Sequence, residues 1–307
     1  QWRFALEEIE GSVQHAYAER FKERVERRTD GEVEVAIYPY GSLGTSADVT
    51  EQVQNGAVQF AFASPGHLGA VVPESQVFSL HFLFPRDEAV LKRVFSDSPT
   101  LYEVLGGAYR EKDLALLAVV HEGWMVWTAD RPLRTPADFD GLKIRTMVSP
   151  LLLDAYRAYG ANPTPMPYGE VYSALQLNMI DAQVNPVFAI EEMSFYEVQE
   201  VMTFADHLPF VSTVVANPAF LDGLPERLRR VVREVKAELD DELFQLQAEY
   251  NAERLARIEK ESDIRVVRLS GEERRAFAER AAPLRQRYVE LAGERGRRIL
   301  EGLEAEF

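Results

Sequence analysis

Gly141-Leu-Lys-Ile-Arg-Thr146 and Ile180-Asp-Ala-Gln-Val-Asn-Pro186 bracket the stretch whose reading decides the fold. Between them lie an apolar helix, the run Asn162-Pro-Thr-Pro-Met-Pro-Tyr-Gly-Glu-Val-Tyr172 and a second helix. Lys143 to Thr146 reads as a short strand ending in Arg145, and Asp181 to Val184 as another followed by Asn185. A polar side chain at the carboxyl end of a strand sits where open α/β sheets place their ligands. The two residues are therefore expected to converge on one crevice. Arg offers a planar fork of donors that matches a carboxylate, and Asn supplies both a donor and an acceptor.

Working outward, Trp2 to Leu6 reads as a strand, and Ser12 caps a helix to about Arg28 with Val13, Tyr17, Phe21 and Val25 on one face. Glu32 to Tyr38, a helix near Ala47 to Asn55 and Gln59 to Ala63 complete a βαβαβ order, which implies a parallel sheet with helices on both faces. The loop Ser64-Pro-Gly-His-Leu-Gly69 follows a strand's carboxyl end, so Ser64 and His67 are candidates for a cleft wall. Val77 to Phe84 is expected to be a buried strand, Asp87 to Phe95 and Leu101 to Lys112 helices, and Leu114 to His121 a central strand. Trp124 and Trp127 cannot share one side of a regular strand, so one of them is expected to line the cleft. Phe188 to Phe204 reads as helix and Phe210 to Ala216 as strand. From Pro225 to about Ser262 a sustained apolar stripe of Leu228, Val232, Val235, Leu239, Leu243, Leu246 and Tyr250 predicts one helix longer than a small domain is wide. Ile264 to Leu269 reads as a strand, and Ser270 caps a final pair of amphipathic helices.

Composition narrows the function classes. A chain of 307 residues suggests two domains. The net charge of −16, from 34 Lys plus Arg against 50 Asp plus Glu, disfavours nucleic acid and anionic lipid as partners. An anionic ligand then requires a strong local cation. No apolar run approaches the roughly 20 residues of a membrane span, so direct membrane insertion is not expected. Cysteine is absent, and the five His residues show no zinc spacing. No phosphate loop, dinucleotide fingerprint or Gly-x-Ser-x-Gly elbow is present. The expectation is a binder without catalytic residues, cofactor or metal. Gln rather than Met at residue 1 suggests a processed or truncated start.

Gly141 to Arg145, Gly160 to Gln176 and Asp181 to Pro186 together resemble the solute-binding proteins of tripartite ATP-independent periplasmic (TRAP) transporters, the DctP-type family. Tyr38-Pro39 with Leu43-Gly44, Gly56-Ala-Val-Gln59 and Phe195-Tyr-Glu-Val-Gln199 extend the likeness over most of the chain. The resemblance implies an α/β, two-lobed clamshell with the long helix crossing both lobes, lobe I being about 1–121 with 210–245 and lobe II about 122–209 with 246–307. It implies a periplasmic protein, its signal peptide removed, that delivers a small organic acid to the small and large subunits of a sodium-driven membrane permease. In that family the Arg of the Lys-x-Arg motif pairs with the ligand carboxylate, which points to Arg145. Asn185 and Tyr168 are implied as further contacts, and Glu7 and Ser64, with His67 nearby, as contacts that vary with ligand.

Where some relatives carry a second cation after the Gly of the strand entering the second lobe, this chain has Gly123-Trp-Met-Val-Trp127. That departure argues against a sugar acid. With Trp124, Met125, Trp127 and Phe188 as candidate walls, it favours a monocarboxylate with an apolar or aromatic body. Aromatic statistics nonetheless place Tyr168, Phe188, Trp124 and Trp127 in a core more often than in a pocket. A zwitterion, an amino acid or ectoine-like, is the alternative and would use Glu7 or Glu8. A sugar-acid binder, a ligand-sensing module and an enzyme on the same frame are the other readings. Ala182 stands where the family usually has Gly.

Overall fold

Ser12 starts the first helix, Val13–Arg28, by accepting a hydrogen bond from the His15 backbone N–H, and Val13, Tyr17, Phe21 and Val25 are all buried beneath it. The same logic repeats along the chain. Thr45 and Ser270 form reciprocal capping boxes with Asp48 and Glu273 at the starts of Ser46–Gln54 and Gly271–Ala281. The computed structural model describes residues 1–307.

Nine strands form one sheet: β1 (Trp2–Ala5), β2 (Val35–Tyr38), β3 (Phe60–Ala63), β4 (Ala115–Ala129), β5 (Lys143–Thr146), β6 (Asn162–Pro165), β7 (Ala182–Asn185), β8 (Val201–Ala216) and β9 (Arg265–Arg268). Their order is β2-β1-β3-β8-β4-β7-β5-β6, with β9 paired to β8. β1 is parallel to β2 and β3, and β5 is parallel to β6 and β7. The two parallel trios are joined by β4 and β8, long strands antiparallel to each other, with β3 against β8 and β7 against β4. Buried side chains divide by sheet face: Phe4, Phe60 and Phe62 pack into one apolar cluster, Ala5, Ala61 and Ala63 into the other. Alternation along each strand sets that division.

The helix predicted after Pro225 spans Glu226–Glu261, 36 residues, or about 54 Å at 1.5 Å per residue. It packs against the first helix, against β4 and against Val187–Glu192. Arg20 and Arg24 of the first helix pair with its Glu242, and Arg28 with its Glu238.

Four expectations need correction. Val77 to Phe84 is not a strand: a 3-10 helix, Pro73–Ser79, runs into a loop with Phe82 at φ 58°. An apolar run buried on all sides has no periodicity to distinguish the two. The helix from Phe188 ends at Glu192, because Ser194 takes a left-handed φ of 57° ahead of a short 3-10 turn. β8 begins at Val201 and passes through Pro209 rather than starting at Phe210. The strand from Leu114 does not stop at His121 but continues to Ala129, with irregular pairing at His121/Gly123 and Trp124/Val126.

That last irregularity also overturns the reading of the tryptophans. A register shift between Trp124 and Val126 lets both indoles pack on the same core, so neither lines the cleft. Trp127 is fully buried, donates to the Tyr156 hydroxyl at 3.1 Å and packs on His207, Phe139 and Phe277. Trp124 lies half-buried beside His121. Met125 is buried behind Phe210, and Phe188 is fully buried in the opposite core. All four are removed from the candidate pocket wall.

Candidate functional site

A cavity of about 420 Å³ opens where the carboxyl ends of both parallel trios face each other. Glu7 and Glu8 follow β1, Tyr40 follows β2, Ser64 and His67 follow β3, Met147 and Val148 follow β5, Met166 and Tyr168 follow β6, and Asn185 ends β7. Phe210 of β8 and residues of the helix Ser46–Gln54 close the wall. The crevice at strand carboxyl ends is thus built twice, once from each trio.

Arg145 is 2% exposed, yet no carboxylate pairs with it. Its Nε and Nη2 donate to the Met166 carbonyl at 3.2 and 3.0 Å, which fixes the plane of the guanidinium, and Nη1 donates to no protein acceptor. The Tyr168 ring lies 5.9 Å from the guanidinium carbon. Burial pulls the Arg145 pKa down to about 10, countered by Tyr168 and Tyr40, so the group stays charged at neutral pH. Half-buried His67, pushed down to about 3 by burial and by Arg145, is neutral beside it. A buried guanidinium without an anion is an unsolved desolvation cost, and it faces the cavity.

Asn185 is aligned from behind. Its amide donates to Gln183 Oε1 at 2.7 Å, Gln183 donates to Thr128, and Thr128 donates to Gln199. Tyr168 meets Tyr40 edge-on at 5.9 Å, and the Tyr40 hydroxyl accepts from the Gly169 N–H at 3.3 Å. Those contacts tie the turn after β2 to the turn after β6 across the cavity.

The two glutamates differ. Glu7 accepts from the Ser64 N–H at 2.7 Å and from the Ser64 hydroxyl, which lies 3.2 Å from the Ser212 hydroxyl. Burial raises its pKa to about 7 against the lowering effect of Ser64. Glu8 is 5% exposed and its Oε2 has no hydrogen-bond donor. Burial first, then the charge of Glu122, holds the Glu8 carboxyl well above its usual range.

Of the expected site residues, Arg145, Asn185, Tyr168, Glu7, Ser64 and His67 line one cavity. Glu8, Tyr40, Met147, Met166 and Phe210 line it too, and of these the sequence points only to Glu8. Tyr40 had a usable signal, a turn directly after a strand's carboxyl end, whereas Phe210 depends on the irregular course of β8.

A charged cavity between two sheet halves bridged by a pair of long strands defines a two-lobed solute-binding protein. The chain belongs to the DctP family of bacterial extracellular solute-binding proteins, family 7, whose model matches residues 4–291. It is 41% identical over 307 residues to the ectoine-binding periplasmic protein TeaA of Halomonas elongata, covering all of this chain and 89% of TeaA. It is 38% identical to the ectoine/5-hydroxyectoine-binding periplasmic protein UehA of Ruegeria pomeroyi, over all of this chain and 90% of UehA. A TRAP periplasmic solute-binding protein of Marinobacter aquaeolei, solved as an apo open structure, superposes with a TM-score of 0.93 at 50% identity, covering 98% of this chain and 99% of that one. A structure of TeaA superposes at 0.95 with 40% identity, over 99% and 98% of the two chains. This chain is accordingly a TRAP-type solute-binding protein of transport and not an enzyme.

Proposed function

We propose that the protein captures a compact zwitterion of the ectoine type, a ring carrying an amidinium and a carboxylate, and hands it to a TRAP permease at the periplasmic face of the membrane. The observation that carries this reading is one cavity holding both an unpaired buried guanidinium, Arg145, and an unpaired buried carboxyl, Glu8. Arg145 takes the ligand carboxylate through a charge-assisted pair, with Asn185 as a second contact. Glu8 faces the cationic end, since the Glu7 oxygen is already engaged by Ser64. Tyr168, Tyr40 and Phe210 supply a wall for the ring. TeaA and UehA, named for ectoine, support the same chemistry.

An acid with an aromatic body rested on Trp124, Met125, Trp127 and Phe188, and all four lie outside the cavity. The lobes, about 1–121 with 210–245 and about 122–209 with 246–307, hinge where β4 and β8 pair irregularly around Gly123 and Phe210. In the open form Arg145 is hydrated; in the closed form the ligand carboxylate replaces that water, so ligand shifts the population to closed.

Calorimetric titration with ectoine, hydroxyectoine and matched monocarboxylates tests the reading. Ectoine is expected to bind, Arg145→Ala to abolish binding of every ligand, and Glu8→Gln to weaken the zwitterion at least tenfold while sparing the acids. Tighter binding of the monocarboxylates than of any zwitterion overturns it.

A further inference from the structure

Near Glu8 lies a second carboxyl that is not part of this cavity's wall. Glu122 of β4 is fully buried, and its Oε1 accepts from the Gln14 amide at 3.2 Å while its Oε2 has no donor. The same Gln14 side chain accepts from the Glu7 N–H at 2.9 Å, so one amide places Glu122 beside the Glu7–Glu8 turn. Two neighbouring buried carboxyls, each with an oxygen that meets no donor, do not both stay ionised, so the pair holds a proton.

The surroundings supply no cation to take its place. Glu192, at the end of Val187–Glu192, is another buried carboxyl, its pKa raised to about 8 by burial and against the pull of Arg254. Arg254 is already committed to Glu191. Glu7 is held by Ser64, Arg145 is held by the Met166 carbonyl, and His67 is neutral. The Tyr168 hydroxyl, nine-tenths buried in the cavity wall and without a partner, lies within electrostatic reach of Glu8, Glu192 and Glu122. An unpaired buried donor beside unpaired buried acceptors marks a place prepared for a guest.

We infer that the proton shared by Glu8 and Glu122 occupies the cation subsite of the empty cleft, and that the cationic end of the ligand displaces it, so that capture of a zwitterion releases a proton to solvent. The inference rests on the zwitterion reading. Before binding, the pair holds one proton and one negative charge. Afterwards both carboxylates are ionised, the ligand is unchanged, and the proton is in the buffer. Glu122 is then a positioning residue: it never touches the ligand, but it sets the charge that Glu8 presents.

The test is calorimetric titration of the full chain with ectoine at pH 7 in phosphate, HEPES and Tris, whose ionisation enthalpies differ. The wild type is expected to release close to one proton per ligand, with Kd tightening up to about tenfold per pH unit between pH 6 and 7. Glu122→Gln, which keeps the hydrogen bond to Gln14, is expected to bind at pH 8 with proton release lost. Wild-type binding whose heat is independent of the buffer overturns the inference and leaves the zwitterion reading standing. Undiminished release from Glu122→Gln also overturns it. Should that variant fail to fold, the wild-type proton count decides alone. Absence of binding by any zwitterion from pH 6 to 9 brings down the functional reading and the inference with it.

Discussion

Arg145 concentrates the physics of the site. Its guanidinium is buried and held in plane by one carbonyl, so in the proposed complex the ligand anion meets a donor that has already lost its freedom to turn. Lysine keeps the charge but has neither the fork nor that anchorage. Arg145→Lys is therefore expected to weaken ectoine binding by about 30- to 100-fold, roughly 2–3 kcal/mol, measurable by calorimetry. A loss under threefold would show that net charge alone suffices. This residue was legible in the sequence because a short strand ended in a cation inside a recognisable motif. The exchange of roles between Glu7 and Glu8 was not legible. Neighbours in sequence, they diverge because Glu7 meets Ser64 just after β3 and Glu8 lies near Glu122 of β4, residues 57 and 114 positions away.

Elements bring those partners together, and two junctions between elements bear on the proposed closure. At the first, Tyr40 after β2 accepts from the Gly169 N–H and packs on the edge of Tyr168. Tyr40→Phe retains the ring and removes only the acceptor, so a loss of about 0.5–1.5 kcal/mol is expected, seen as a threefold to tenfold faster ligand release in stopped-flow fluorescence. An unchanged rate would mean that the contact does not report closure. At the second, Gly123 lies at φ 129°, and a Cβ there would sit 2.5 Å from Asn251 Nδ2. Asn251 on the long helix donates to the Glu122 carbonyl and accepts from the Phe188 N–H, tying β4 and the helix at Val187 to one point. Gly123→Ala is expected to destabilise the protein by about 2–4 kcal/mol, from backbone strain and a displaced hydrogen bond, read as a lower urea midpoint. A midpoint within error of wild type would show that the bulge relaxes. The same junction explains a failure of sequence reading. Strict alternation placed the two tryptophans on opposite faces, and one register slip put both on the same core. Periodicity within helices, by contrast, survived: Val13, Tyr17, Phe21 and Val25 are buried as their spacing required.

The whole molecule sets the electrical setting in which these parts work. With a charge of −16, the protein repels a simple anion at a distance, whereas a zwitterion arrives without a net penalty and is sorted only inside the cleft. The acidity also extends inward. Glu7 and Asp240 are raised to about 7 and Glu192 to about 8, all chiefly by burial. Raised folded-state values mean that these groups favour the fold while protonated: their contribution is complete below about pH 4.5 and is lost as pH rises through 7 to 8. The buried imidazoles act in the opposite sense. His67 and His81 are lowered to about 3 and His121 to about 4, so their contribution is present above pH 6.5 and lost on acidification. Above pH 6.5 only the acids still titrate, each costing up to about 1.4 kcal/mol per pH unit until it ionises in the fold. The ligand-free protein is expected to melt roughly 5 °C lower at pH 8 than at pH 6.5, with saturating ectoine narrowing the gap because its cation stabilises the ionised Glu8. Differential scanning calorimetry at the two pH values, with and without ligand, checks both halves. A ligand-free melting temperature that holds or rises towards pH 8 would mean that these carboxyls are hydrated and already ionised, leaving the cleft no proton to trade for a cation.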